Sequence, residues 1–218
     1  MLKLLIKFVI AVLSIPIAVG VTSAFYKSFI LIKTLSGSLP LFFWGIAAYT
    51  ILHLLFYKST YMYVLGHEAV HAGIAWVLGG KIKSFKVSEQ GGSVATDKSN
   101  TLIELSPYFV PIYAIIIAVI YFVIASSYRI NGSVFIFLIG FTLAFHMILT
   151  IEVMKVRQPD IVKSGYFFSI ILVYVFNVIV IALMFSMIFP DFSAKKFFLD
   201  SWLLSKGAYI AIVKQLFF

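Results

Sequence analysis

His67, Glu68 and His71 stand in "YMYVLGHEAVHAGIAWVLGG", residues 61–80, an otherwise apolar stretch of a chain in which only 11% of the residues are charged. The three residues fit the pattern H-E-x-x-H. Histidines at i and i+4 share one helix face, so two neutral imidazoles can hold a single zinc ion while the Glu between them stays off the metal and serves as a base. With four His and four Glu in 218 residues, random placement gives this pattern in roughly one such chain in a thousand, so chance explains it poorly. An ionisable side chain at membrane depth costs about 2.5–3.5 kcal/mol on insertion scales. A metal cation offsets that cost. A hydrogen-bonded cluster with polar groups of neighbouring helices is the other way to satisfy these residues, but such a cluster does not require this spacing.

A catalytic zinc usually takes three protein ligands and keeps a fourth position for water. The chain has no cysteine, so the third ligand must be an imidazole or a carboxylate. The candidates are Asp160, Glu152, His146, His53 and Glu104, with Glu89 and Asp97 less favoured. Asp160 stands in "RQPDIVKSG", where Pro159 removes a backbone donor and disfavours helix at Gln158, so the chain can unwind there and present a carboxylate. His146, in "LAFHMIL", is its strongest rival, although a lone His in an apolar helix is more often a hydrogen-bonded packing residue. The same holds for His53. Glu152 can pair with Lys155 three residues on, and Glu104 can sit at headgroup level.

The elements that must position these residues read as membrane helices. The chain is 62% hydrophobic with a mean hydropathy of +1.09, far from the roughly half-apolar make-up of soluble domains. A helical crossing needs about 20 apolar residues, and continuous runs at 1–25, 39–57, 61–80, 105–126, 133–154 and 166–189 predict an all-α polytopic bundle of about six transmembrane helices. The first run, which carries Lys3 and Lys7, is longer than a signal-peptide apolar region and reads as an anchor. "KIKSFKVSEQGGSVATDKSN" breaks the pattern. Its pieces "SFKVS" and "SVAT" predict a β-hairpin at 81–96 about a Gly-Gly turn. The tail, 191–218, reads as an interfacial or additional membrane helix. With no internal repeat or linker, one membrane domain with its core at 39–190 is the simplest division. The net charge of +9 sits mostly between the apolar runs, which matches anionic lipid headgroups rather than nucleic acid.

HEAVH, the hairpin region "GGKIKSFKVSEQGGSVAT", the segment "SPYFVPIY" and the Asp-bearing "QPDIVKSG" together resemble the site-2 protease family of zinc intramembrane metalloproteases. Where that family commonly carries Asp-Gly at the third ligand, this chain has Asp160 followed by Ile161. The resemblance implies one zinc ion held by His67, His71 and Asp160, with Glu68 as general base and Asn177 as a candidate oxyanion donor. It implies a multi-pass protein of a bacterial plasma membrane whose substrate is a transmembrane segment of another protein. Two other readings compete: a membrane-anchored zinc peptidase acting on exposed chains, and a non-enzymatic zinc transporter or sensor using His53, His67, His71 and His146.

Overall fold

The computed structural model describes residues 2–32, 38–56, 60–156 and 158–217. The segments "SGSLP" and "KST", which the sequence places at either end of the 39–57 run, fall partly outside them. In chain order the described residues form α1 (Leu2–Phe29), α2 (Ser38–Leu55), α3 (Thr60–Val77), β1 (Ile82–Ser88), β2 (Gly91–Thr96), α4 (Thr101–Leu105), a 3-10 turn (Ser106–Tyr108), α5 (Ile112–Ala125), α6 (Gly132–Met154), α7 (Pro159–Ser164), α8 (Tyr166–Ile188) and α9 (Ala194–Phe217). They fall into two compact units: a central one, 34–160, and a terminal one made of 1–33 and 161–218. The chain passes from one to the other inside α7, directly after Asp160.

Among the described residues four helices, α1, α2, α6 and α8, are long and apolar enough to cross a membrane, and a fifth crossing results if 101–108 and α5, bent by 75° to each other, form one broken span. The chain is a multi-pass membrane protein. The number of spans is lower than the six expected, and the two losses have distinct causes. The 61–80 run forms α3, which reaches 18 residues but gives up apolar length to Gly66, His67, Glu68, His71 and Gly73. The 105–126 run is interrupted by Pro107 and Pro111, which leave α5 only 14 residues, about 21 Å of helix against the roughly 30 Å of a hydrocarbon core.

In the central unit α2 and α6 run parallel and approach very closely. Gly45 lies against the Phe137 carbonyl and Gly140 against the Phe42 carbonyl, each so near that a Cβ would collide with that oxygen. Small residues let membrane helices pack backbone to backbone, and here the two glycines make the contact reciprocal. Further along, the Tyr49 ring stacks edge-on against Phe141 and Phe145. The antiparallel hairpin pairs Val87 with Gly92 and Ser88 with Gly91. Its turn is therefore Glu89–Gln90, and the Gly-Gly pair expected to form the turn opens β2 instead, with Gly91 at φ 146°, a conformation that side chains resist.

In the terminal unit α1 packs against α8 and α9. Phe25, Phe185 and Phe192 form an aromatic cluster. The Tyr209 hydroxyl donates to the Leu13 carbonyl, and Gly20 makes room for Ser205. These contacts run α9 antiparallel along α1, so the tail is a lengthwise companion of a membrane helix.

The reciprocal glycines carry a direct consequence for stability. Gly45→Val and Gly140→Val should each destabilise the central unit by about 1–3 kcal/mol or more through overpacking, read as a lower midpoint of thermal unfolding in detergent. Unchanged midpoints would contradict the close crossing of α2 and α6.

Candidate metal centre

The i, i+4 spacing on α3 brings the His67 and His71 rings to 4.8 Å between centroids, steeply inclined to each other. α3 is held in place from the side by α5: Gly66 makes room for the Tyr113 ring, and the Tyr113 hydroxyl donates to the Met62 carbonyl. The third group arrives from the other end of the unit. α6 stops at Met154, the Gln158 N–H donates to the Val156 carbonyl at 2.8 Å, and Pro159 opens α7 at a position where its missing donor costs nothing. Asp160 thus sits in the first turn of a short helix and not in an unwound segment as expected, although the chain break that delivers it is the one Pro159 predicts.

Asp160 Oδ2 lies 3.7 Å from His67 Nε2 and 3.4 Å from His71 Nε2. One ligand atom from each of the three falls within 4.8 Å of the others, and among the described residues this is the set of His and acidic groups so arranged. Bonds of about 2.1 Å in a tetrahedron place ligand atoms roughly 3.4 Å apart. The three side chains therefore fit a single small divalent cation. Two imidazoles and a carboxylate with no thiolate suit zinc and its first-row neighbours.

Groups behind these three side chains fix their orientation. His71 Nδ1–H donates to the Ile103 carbonyl at 2.8 Å, which leaves Nε2 as the lone-pair nitrogen facing Asp160. Ile103 is itself held by the Asn100 cap of α4, whose side-chain oxygen accepts the Ile103 N–H at 2.9 Å. The wholly buried Tyr108 donates its hydroxyl proton to Asp160 Oδ2 at 3.4 Å and sets its ring edge-on to His67 at 5.1 Å. Burial alone would raise the Asp160 carboxyl, but hydrogen bonds from ring N–H groups of His67 and His71 outweigh it and hold the group well below the usual carboxylate range; a bound cation would take the place of those Nε2 protons.

Glu68, next to His67 on α3, is 8% exposed. β2 lies across it at Gly92, where a Cβ would stand 2.5 Å from Glu68 Cγ and 2.8 Å from Val64 Cγ1. Any side chain at 92 would displace the Glu68 carboxylate.

The rivals for the third position have other partners. His53 Nε2 lies 3.1 Å from Glu152 Oε1 and its Nδ1 is 3.3 Å from the Tyr49 hydroxyl, so two of them pair with each other. Glu104 accepts from the Ser99 hydroxyl at 2.8 Å. Asp97 accepts the Lys81 N–H at 2.6 Å, and Glu89 is exposed in the hairpin turn. His146 lines a cavity beside His67. Asn177 belongs to the terminal unit, where its amide donates to the Val173 carbonyl of its own helix at 2.9 Å. The hydroxyl that the structure brings to the cluster is that of Tyr108, which sequence reasoning passed over. Its segment "SPYFVPIY" was informative, but nothing in it marks which aromatic faces the acid. Neither a protein-family model, nor a curated protein, nor a solved structure matches the chain.

The geometry sorts the candidate ligands by metal content of the purified protein. Asp160→Ala and His71→Ala should lose the ion while Glu152→Gln keeps it, and metal retained by Asp160→Ala would remove that residue from the set. Tyr108→Phe should weaken metal affinity about 10- to 100-fold, the usual effect of losing a group that orients a ligand.

Proposed function

We propose that the protein is a zinc-dependent intramembrane endopeptidase that cleaves a transmembrane segment of another membrane protein. The observation that carries this reading is the convergence of His67 Nε2, His71 Nε2 and Asp160 Oδ2 within 4.8 Å, in a multi-pass chain whose acid beside the first ligand matches the base of H-E-x-x-H hydrolases. Bound there, zinc would supply Lewis acidity and lower the pKa of water in its open position to about 7. Glu68 takes the proton from the attacking water as its oxygen bonds the scissile carbonyl carbon. When the C–N bond breaks, Glu68 returns that proton to the leaving amine. His67, His71 and Asp160 hold their positions throughout, and Tyr108 steadies Asp160.

A peptide bond inside a helix is shielded and must be drawn into extended form before attack. The hairpin supports this step, because β2 already lies on Glu68 and a two-stranded sheet has unpaired edges on which an extended segment can add. A second reading, a membrane-anchored zinc peptidase acting on exposed chains, is favoured by the absence of α3 from the helices apolar enough to cross. Hydrolysis of soluble unstructured peptides at rates equal to those of a membrane substrate would select it.

Glu68→Gln should reduce cleavage of a reconstituted transmembrane substrate by about 10²- to 10⁴-fold, the range for loss of a general base, with zinc content unchanged. Cleavage at the wild-type rate would remove Glu68 from the chemistry. Gly92→Val should lower kcat and leave zinc bound, since the added side chain displaces Glu68 and touches no ligand.

A further inference from the structure

The two histidines differ in how their second nitrogens are satisfied. A neutral imidazole that offers Nε2 to a metal must carry its proton on Nδ1. His71 passes that proton to the Ile103 carbonyl. His67 Nδ1 is fully shielded from solvent and has no hydrogen-bond partner among the described residues, and the Tyr63 hydroxyl, one turn before it on α3, is equally buried, with the Thr150 hydroxyl of α6 beside it but outside good hydrogen-bond geometry. Both residues line a cavity of about 20 Å³ whose wall also includes Gly66, Tyr113 and His146. About 10–15 Å³ suffices for one water, and a buried water typically makes about three hydrogen bonds. Orphaned donors in native interiors are rare enough that each asks for an acceptor.

We infer that this cavity is a structural water site: one water accepts the His67 Nδ1–H, bonds the Tyr63 hydroxyl and reaches the His146 ring on α6, making Tyr63 and His146 positioning residues for the metal ligand His67. The inference deepens the proposed metalloprotease reading and rests on His67 Nε2 serving as a ligand. It gives His146, a rival ligand in the sequence, a different task. The ring stands behind a ligand and holds it by way of the water. The two imidazoles of α3 are then anchored from opposite sides, His71 by a capped helix in the α4 segment and His67 by a membrane helix. The cavity is lined by Gly66 as well, and a side chain there would meet Tyr113 and Ile112, so the glycine keeps both the helix contact and the space for water.

The test uses the full-length chain in lipid nanodiscs, with zinc affinity measured by chelator competition and the His67 ring followed by ¹⁵N NMR in zinc-free protein. The expected result is that His146→Leu and Tyr63→Phe each raise the zinc Kd about 10- to 100-fold while one zinc still binds at saturation. His146→Gln, which keeps a polar group at the cavity, should stay within about threefold of wild type. In zinc-free wild type, His67 should hold a single Nδ1–H tautomer with a cross-peak to a long-lived water, lost in His146→Leu. Wild-type affinity in both His146→Leu and Tyr63→Phe would overturn the water site and leave the metal centre standing. Complete loss of zinc from His146→Leu at saturating metal would also overturn it, by making His146 a ligand. If the wild type takes up no zinc yet shows the tautomer and the water, the metal reading falls and the water site survives.

Discussion

For the proposed ion to be held, three lone pairs must meet at one point. Two of them come from a single helix and cost little to align, because residues four apart on α3 already share a face. The third comes from a carboxylate 89 residues beyond His71 in the chain, and everything between them serves to deliver it. The parallel, glycine-mediated crossing of α2 and α6 fixes where α6 runs. The break after Met154 and the restart at Pro159 fix where α6 ends and where Asp160 begins.

The groups around these side chains share a logic. His71 is oriented by the Ile103 carbonyl, Ile103 by the Asn100 cap, and Asp160 by Tyr108. Two of the three candidate ligands, His71 and Asp160, are thus backed by residues of the 100–108 segment, the stretch in which the chain abandons regular helix for a cap, a short helix and a 3-10 turn. Irregular backbone at such a place is tolerated only when packed in protein, and Leu105, Ser106 and Tyr108 are wholly buried. The broken fourth apolar run brings a carbonyl to His71 and a hydroxyl to Asp160. The hairpin contributes from the opposite direction by an absence: Gly92 supplies no side chain, and Glu68 occupies the space.

Much of this was legible in the residues, and the failures have physical causes. HEAVH and Pro159–Asp160 carry their geometry in local spacing, so the sequence points to them directly, and the hairpin follows from β-prone pieces around glycines. The turn was misplaced because Gly-Gly is a strong turn signal, whereas here the close approach of Glu68 claims Gly92. The span count came out high because apolar content alone does not register that prolines cut a run or that a helix has given part of its length to chemistry. Tyr108, Ile103 and the His53–Glu152 pair were invisible as such, since each depends on contacts between residues distant in the chain and none has a distinctive spacing. The placing of His146 beside His67 belongs to the same class.

The central claim is that one ion is gripped by two imidazoles of α3 and the carboxylate of Asp160. X-ray absorption at the zinc K-edge of the purified full-length protein tests it most directly. The expected spectrum is that of one zinc per chain with two imidazoles and oxygen donors at about 2.0–2.1 Å. A protein that holds no stoichiometric metal, or a zinc surrounded by three imidazoles, would contradict it.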